Sequence, residues 1–286
     1  MISIIFPDSS VKKFEKGTKV IDVAKSISEG LARKVLSASF NEEIYELESE
    51  IHLDGSIKFY TWDDNEGKQA FWHSSAHILA QTIKFFYPKS KLTIGPSIEN
   101  GFYYDVDFAG ESISEKDFQK IEAKFLEFAR EDNKFKLKSI PKTDALEFYK
   151  NENNEYKIEL IEGLEDGTIT FCDHSDFTDL CKGGHIPSTG IVKAVKLLNI
   201  AGAYWRGDEK NNQLTRIYGI TFPKQKLLTE YLELVEKAKE RDHRKIGKEL
   251  ELFTFSSKVG NGLPLWLPNG TELRDLLQGF LEDAQR

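Results

Sequence analysis

The feature that most constrains the fold is an apolar stretch at residues 71–81, Phe-Trp-His-Ser-Ser-Ala-His-Ile-Leu-Ala-Gln, which contains neither proline nor glycine. It lies in a run at about 66–87 that Pro88 closes, so the pattern predicts a helix. Residues four apart on a helix share one face, which places His73 and His77 side by side.

A second motif with the same spacing occurs about a hundred residues later, at Cys181-Lys-Gly-Gly-His185. A lone pair of histidines four apart is a weak signal. Two such motifs, one of them broken by glycines, are a stronger one. We therefore predict that His73, His77, Cys181 and His185 form the walls of one polar pocket.

Composition limits the class of protein. The chain has 286 residues, 40% hydrophobic and 30% charged, as expected for a globular protein of two or three domains. No apolar run approaches the ~20 residues of a membrane helix, and the N-terminus does not read as a signal peptide. Two cysteines without a secretory signal predict free thiols and a cytoplasmic location. The net charge of −8 argues mildly against non-specific nucleic-acid binding.

The fold class expected is α+β. Residues 1–62 show a strand hairpin, a helix and then short strands, which is the order of a small β-grasp domain. Residues 63–222 alternate helical and extended segments, which predicts a larger α+β domain with an antiparallel sheet.

Residues 223–247 predict a long linker helix whose polar side becomes basic. Between Lys224 and Lys248 there are eight Lys or Arg against five Asp or Glu. A solvated face with cations at the helix C-terminus explains this as well as phosphate contact does. The candidate phosphate-binding residues are Lys237, Lys239, Arg241, Arg244 and Lys245.

Residues 248–286 end in a turn-rich segment and a helix with an apolar side formed by Leu273, Leu276, Leu277, Phe280 and Leu281. An amphipathic helix of this kind needs a partner surface. We therefore expect the sequence to be a fragment of a longer protein.

The residues leave the chemistry of the pocket open. Three imidazoles and one thiolate are a plausible tetrahedral zinc set, on His73, His77, Cys181 and His185. A metalloprotease helix is unfavoured because Ser74 stands where a glutamate would follow the first histidine. A cysteine protease lacks a marked oxyanion hole. Metal-free hydrolysis, with imidazoles, a lysine and a carboxylate holding a water, is as well supported as zinc.

Several ordered motifs resemble the threonyl-tRNA synthetase family over essentially the whole chain. They are His73-Ser-Ser-Ala-His77, Gly95-Pro96 with Asn100-Gly-Phe-Tyr-Tyr-Asp105, Asp179-Leu-Cys-Lys-Gly-Gly-His185, Ala201-Gly-Ala-Tyr-Trp-Arg-Gly-Asp208, Arg241 to Phe253, and Trp266 to Arg274. Alanyl-tRNA synthetases share the histidine and cysteine quartet but not the last of these motifs.

The resemblance implies a TGS domain at 1–62, an editing domain at 63–222, a linker helix at 223–247 and the start of a class II catalytic domain at 248–286. It implies hydrolysis of seryl-tRNA(Thr), because one missing methyl group separates serine from threonine by only about 1–3 kcal/mol in the synthetic site. The complete enzyme would be a homodimer that joins threonine to tRNA(Thr) with ATP, Mg and a zinc ion beyond residue 286. The fragment alone would be a monomer.

Site roles are carried over from the same resemblance. Catalytic roles fall on His73, Lys157, Asp179 and His185: His73 and Lys157 to position water and stabilise charge, and Asp179 to pair with the substrate ammonium. Substrate binding falls on His77, Tyr104 and Cys181, and Tyr104 would either close the space that the threonine methyl needs or stack on the base. Cys172, His174 and His52 are expected to be structural.

A different class of function stays open beside this one. The chain would then be a non-catalytic tRNA-docking module, with the TGS domain and the basic helix as binding surfaces and a structural zinc on the same quartet.

Overall fold

The computed structural model describes residues 1–260 and 262–286 and divides into two compact units, 1–228 and 229–286. Its strands in chain order are β1 (Ile2–Ile5), β2 (Val11–Phe14), β3 (Thr18–Lys19), β4 (Ser37–Phe40), β5 (Glu43–Tyr45), β6 (Glu50–Ile51), β7 (Gly55–Tyr60), β8 (Lys91–Leu92), β9 (Ser97–Ile98), β10 (Gly101–Asp107), β11 (Lys136–Ser139), β12 (Thr170–His174), β13 (Phe177–Leu180), β14 (Ala194–Tyr204), β15 (Gln213–Phe222), β16 (Phe253–Phe255) and β17 (Pro264–Trp266).

The helices in chain order are α1 (Val20–Ile27), α2 (Glu29–Ala32), α3 (Asn65–Phe86), α4 (Phe118–Arg130), α5 (Lys142–Asn151), α6 (Glu155–Glu162), α7 (Gln225–Glu240), α8 (His243–Glu249) and α9 (Pro268–Gln285). Short 3-10 helices lie at Glu115–Asp117, Thr189–Ile191 and Trp205–Gly207. The expected α+β class is confirmed.

The first residues fold as the hairpin, helix and strand order predicts. The sheet has the order β2-β1-β7-β4-β5, with β1 and β7 parallel and the other pairs antiparallel. Alternation in β1 turns Ile2 and Ile4 into the core, where they meet Val20 and Val23 of α1. Burial of this apolar face is what holds a domain of such size together.

Helix α3 is the central element of the larger region, and the predicted helix at 66–87 is confirmed. It lies on an antiparallel sheet of order β14-β15-β10-β8, with β9 paired to β10. Two polar contacts fix it there: the indole N–H of Trp72 donates to the Thr221 carbonyl at 3.0 Å, and the hydroxyls of Ser75 and Thr221 are 2.7 Å apart. The polar residues between the histidines therefore set how the helix is rotated on the sheet.

A second antiparallel sheet, β11-β12-β13, faces helices α5 and α6. Tyr149 of α5 and Ile161 of α6 pack with Phe171 of β12 in one buried cluster. Strand β13 ends immediately before Cys181, so this sheet delivers the Cys-Lys-Gly-Gly-His loop to the pocket.

The linker helix differs in detail from the prediction over 223–247. Helix α7 ends at Glu240, and α8 begins at His243 after Asp242, which has φ −59° and ψ 119°. The Asp242 carboxylate accepts the Arg244 backbone N–H at 2.8 Å, so it caps a new helix and interrupts the first.

The unit 229–286 pairs β16 with β17 and ends in α9, as the amphipathic pattern predicts. The five apolar residues of its predicted face are exposed. Across the described ranges, 1–260 and 262–286, no helix is both long and apolar enough to cross a membrane.

Gly67 provides a test of how α3 joins the β-grasp domain. A methyl group on Gly67 would overlap the Thr61 carbonyl oxygen. We expect Gly67→Ala to lower the free energy of unfolding by about 1–3 kcal/mol through overpacking, measured by urea denaturation. Gly30→Ala is the matched control, because only Ser28 Oγ lies near, at 3.8 Å, and alanine favours helix. Equal stability of the two variants would contradict this packing.

Candidate active site

The four residues of the two motifs meet as predicted. The Nε2 atom of His73 lies 3.0 Å from Cys181 Sγ, and His185 Nε2 lies 3.3 Å from the same sulfur. One ligand atom from each of His73, His77, Cys181 and His185 can be chosen so that all lie within 4.8 Å of one another. Helical spacing supplies the two histidines of α3, and the glycine-rich loop supplies the other pair.

Glycines give the loop its shape. Gly183 and Gly184 have φ values of +97° and +89°, in the region that residues with a Cβ rarely adopt. The backbone N–H of Ile186 then donates to Ser74 Oγ at 2.9 Å, which ties the end of the loop to α3 between its histidines. The loop is thus bent by glycine and held by a serine of the facing helix.

Charge at the sulfur follows from its neighbours. Burial by itself would raise the pKa of the Cys181 thiol, but the three imidazoles around it hold the pKa well below its ordinary value. Burial would likewise lower the pKa of His185, yet its hydrogen bonds to Cys172, Cys181 and Glu46 raise that pKa well above the usual range. The pair is therefore a thiolate beside an imidazolium.

A second buried cluster adjoins the quartet and is centred on Asp179. The Asp179 Oδ1 atom lies 2.5 Å from Lys157 Nζ and accepts the Tyr149 hydroxyl at 3.1 Å. Its Oδ2 atom accepts the Tyr104 hydroxyl at 2.7 Å and lies 3.6 Å from His77 Nδ1. Burial would raise the pKa of this carboxyl, but Lys157 and His77 lower it, so it stays ionised.

Lys157 and Tyr104 are both buried side chains. By pattern alone, Lys157 would be assigned to the surface, yet it is 3% exposed. Tyr104 packs beside Gly95, where a Cβ would overlap its ring. Burial, followed by the charge of Asp179, raises the pKa of Tyr104 well above its ordinary value, so its hydroxyl stays a donor.

The two clusters line one cleft of about 600 Å³. This volume is typical of a small-molecule site. The predicted residues that line it are His73, His77, Tyr104, Lys157, Asp179 and Cys181. His185 stands behind Cys181, with its ring stacked between His73 and Phe135 at centroid distances of 5.0 and 5.2 Å.

Residues expected to be structural differ in their surroundings. Cys172 Sγ lies 3.7 Å from His185 Nδ1, and burial raises its pKa. His174 packs against Phe135 and Phe177, and burial lowers its pKa to about 3, so it is neutral. The side chain of His52 is 62% exposed.

Sequence reasoning missed two partners of the site. Tyr149 lies on α5 and was assigned only to a helix, yet it binds Asp179. Glu46 follows β5 in the β-grasp domain and binds His185. No local pattern around either residue marks a contact that depends on tertiary packing.

The five basic residues proposed for phosphate contact lie on α7, on α8 and at the break between these helices, all exposed. Two of them are engaged by carboxylates: Lys239 lies 3.5 Å from Glu236, and Arg244 lies 2.7 Å from Asp242.

The lowered pKa of Cys181 predicts a thiolate at an unusually low pH. A thiolate exists above the pKa of its thiol, so a depressed pKa extends the anion downward. In chelator-treated protein we expect thiolate ultraviolet absorbance to persist well below the usual range near pH 8.5 in which a cysteine thiol ionises. Cys181→Ser should remove it and Cys172→Ser should not. Absorbance that appears only above about pH 8 would contradict the assignment.

Comparison with known proteins finds two matching domain families and a group of relatives. Residues 2–61 match the TGS domain family, and residues 169–218 match the family described as threonyl and alanyl tRNA synthetase second additional domain. The whole chain is 64% identical to threonine–tRNA ligase of Flavobacterium psychrophilum, 56% to that of Cytophaga hutchinsonii and 54% to that of Porphyromonas gingivalis. In each case it spans 44% of the length of the relative. The chain thus joins a TGS domain to the second additional domain of threonyl- and alanyl-tRNA synthetases, and throughout its length it is homologous to part of the threonine–tRNA ligases.

Proposed function

We propose that residues 63–222 form an editing domain that hydrolyses the ester of seryl-tRNA(Thr). The observation that carries the proposal is the cleft in which the quartet adjoins the buried Asp179 cluster. Such a site can bind an aminoacyl ester and hold a water against it. The longer protein would attach threonine to tRNA(Thr) with ATP, Mg and zinc at sites outside this chain, act as a homodimer and work in the cytosol.

The chemistry proposed is attack of water on the ester carbonyl. His73, half-buried at the cleft, accepts a proton from the water. The bond between the carbonyl carbon and the ribose oxygen then breaks, and that oxygen leaves with the proton that His73 took from the water. The ammonium of Lys157 stabilises the negative charge that develops on the carbonyl oxygen.

Asp179 would receive the α-ammonium of the bound serine. Its Oδ1 atom is occupied by Lys157, Tyr149 and the Leu180 N–H, so the ammonium approaches Oδ2 beside Tyr104. Tyr104 cannot retreat, because Gly95 packs against its ring. A methyl group on the substrate would meet that ring, so serine is accepted and threonine rejected.

His77 and Cys181 would form the polar wall that faces the terminal adenosine, and His185 would support the wall from behind Cys181. We assign no bond-making step to the sulfur.

Removing the general base or the lysine tests this function. We expect His73→Ala and Lys157→Ala to slow hydrolysis of Ser-tRNA(Thr) by about 10²–10⁴-fold. Thr-tRNA(Thr) should be hydrolysed slowly by every variant. His52→Ala is the matched control, since this histidine is exposed on the β-grasp domain. Full activity in His73→Ala, with a native thermal transition, would contradict the assignment.

A second function has one specific observation in its favour. The four donor atoms are close enough for one ion, and both ring nitrogens of His77 are buried without a hydrogen-bond partner among the described residues. A carboxylate behind His185 is also what metal-binding histidines use. The residues therefore fit zinc, which would cross-link α3 to the Cys181 loop in a non-catalytic tRNA-docking module.

Metal analysis separates the two functions. Hydrolysis of the seryl ester that survives a chelator supports the metal-free editing domain. Stoichiometric zinc without hydrolysis supports the docking module. Hydrolysis lost on chelation and restored by zinc would place the ion in the active site.

The basic residues at 237–245 are proposed to contact tRNA phosphates. Each neutralised phosphate steepens the salt dependence of binding. We expect Lys237→Ala, Arg241→Ala and Lys245→Ala together to lower the slope of log K against log salt by about 2–3. Measured tRNA(Thr) affinities across a salt series check this, with Lys89→Ala, Lys116→Ala and Lys150→Ala together as the control, because these lysines are exposed on the larger domain. An unchanged slope would show that these basic residues are solvated and do not contact phosphates.

A further inference from the structure

Glu46 of the β-grasp domain reaches the wall of the pocket. Its Oε1 atom accepts the backbone N–H groups of Gly184 and His185 at 2.9 and 3.3 Å. The same oxygen lies 3.0 Å from His185 Nδ1. One carboxylate from a separate folding module therefore holds both the backbone of the loop and the ring of its histidine.

The position of Glu46 is fixed by its own domain. It follows β5, and the next residue, Leu47, is buried in the β-grasp core. The carbonyl of Leu47 also accepts the Ile21 N–H at 2.8 Å, and the Glu46 carbonyl accepts the Ser49 N–H at 3.0 Å. The backbone that presents Glu46 is thus held by the β-grasp core and not by the pocket.

A carboxylate on Nδ1 fixes how the His185 ring is turned. A carboxylate can only accept, so Nδ1 must be the donor to Glu46. The Nε2 atom is then the one that faces Cys181 Sγ, at 3.3 Å. Stacking between His73 and Phe135 fixes the plane of the ring, but it does not fix how the ring is turned within that plane.

We propose that Glu46 is a positioning residue of the editing site, through which the β-grasp domain fixes the orientation of the His185 ring and the path of the Cys181–His185 loop. Glu46 lies outside the lining of the cleft and acts through His185. The β-grasp domain is then part of the editing machinery. This inference rests on the proposed editing function.

The chain offers a matched control two residues away. Glu48 also bridges to the larger domain, with Lys134 Nζ at 2.9 Å, and pairs with Lys19 Nζ at 2.9 Å. Its side chain is 42% exposed, and exposed pairs of this kind contribute little to stability. Glu48→Ala therefore removes a contact across the same junction without disturbing the pocket.

The test compares Glu46→Ala, Glu46→Gln and Glu48→Ala in hydrolysis of Ser-tRNA(Thr). We expect Glu46→Ala to lower kcat by about 10–100-fold with KM nearly unchanged. Glu46→Gln should retain most of the rate, because its amide oxygen accepts the same three N–H groups. Glu48→Ala should match the wild type. Equal rates for Glu46→Ala and Glu48→Ala would overturn the proposal.

A second measurement separates this inference from the proposed function. Nitrogen-15 NMR of the histidine rings in chelated protein reports the hydrogen bond made by His185 Nδ1. We expect a hydrogen-bonded Nδ1–H in the wild type and in Glu46→Gln, and loss of that bond in Glu46→Ala. If the wild type hydrolyses no ester, the proposed function fails, while this signal still decides the positioning. An unchanged His185 signal in Glu46→Ala would refute it.

Discussion

The buried carboxylate of Asp179 is the constraint on which the rest of the pocket depends. An ionised carboxyl that is 3% exposed loses several kcal/mol of hydration, about what a buried ion costs in a protein. That loss is offset only if donors arrive from several directions at once. They come from β10, α5 and α6, as Tyr104, Tyr149 and Lys157. Asp179 therefore links β13, the strand that carries it, to β10, α5 and α6.

Short polar side chains align the histidines with this cluster. Ser74 and Ser75 lie between His73 and His77. Each makes a hydrogen bond to an element outside the helix, and helix propensity alone does not predict such a contact. Ser75 meets the sheet and Ser74 meets the loop after Cys181. An apolar residue at either position would keep the helix but lose its rotational setting. The spacing of the histidines places them on one face of α3, and the hydrogen bonds of the serines set the direction in which that face points.

The sequence predicted what local periodicity controls. Helical spacing placed His73 and His77 on one side of α3, and alternation placed Ile2 and Ile4 in the β-grasp core. Both are properties of a single segment. The break between α7 and α8 was not predicted, because the pattern around it is helical. Asp242 nevertheless caps a new helix there and so ends the first one.

Contacts between segments could not be derived in the same way. Tyr149 lies on an ordinary amphipathic helix, and its hydroxyl finds Asp179 only after two helices and a sheet have packed. Lys157 would be assigned to solvent from its own neighbours, yet it is buried because Asp179 needs a cation. The family resemblance supplied Lys157, whereas nothing in the sequence supplied Tyr149.

Glu46 extends the same principle across a domain boundary. The β-grasp fold needs no carboxylate at this position, since Glu46 is outside its core and its neighbour Leu47 does the packing. The larger domain supplies the His185 ring and the plane in which it lies, and Glu46 supplies the carboxylate that binds Nδ1. The Glu46 carboxylate, at the junction of the two modules, therefore completes the wall of the pocket. A chemical reason then exists for the two modules to be held together in one compact unit.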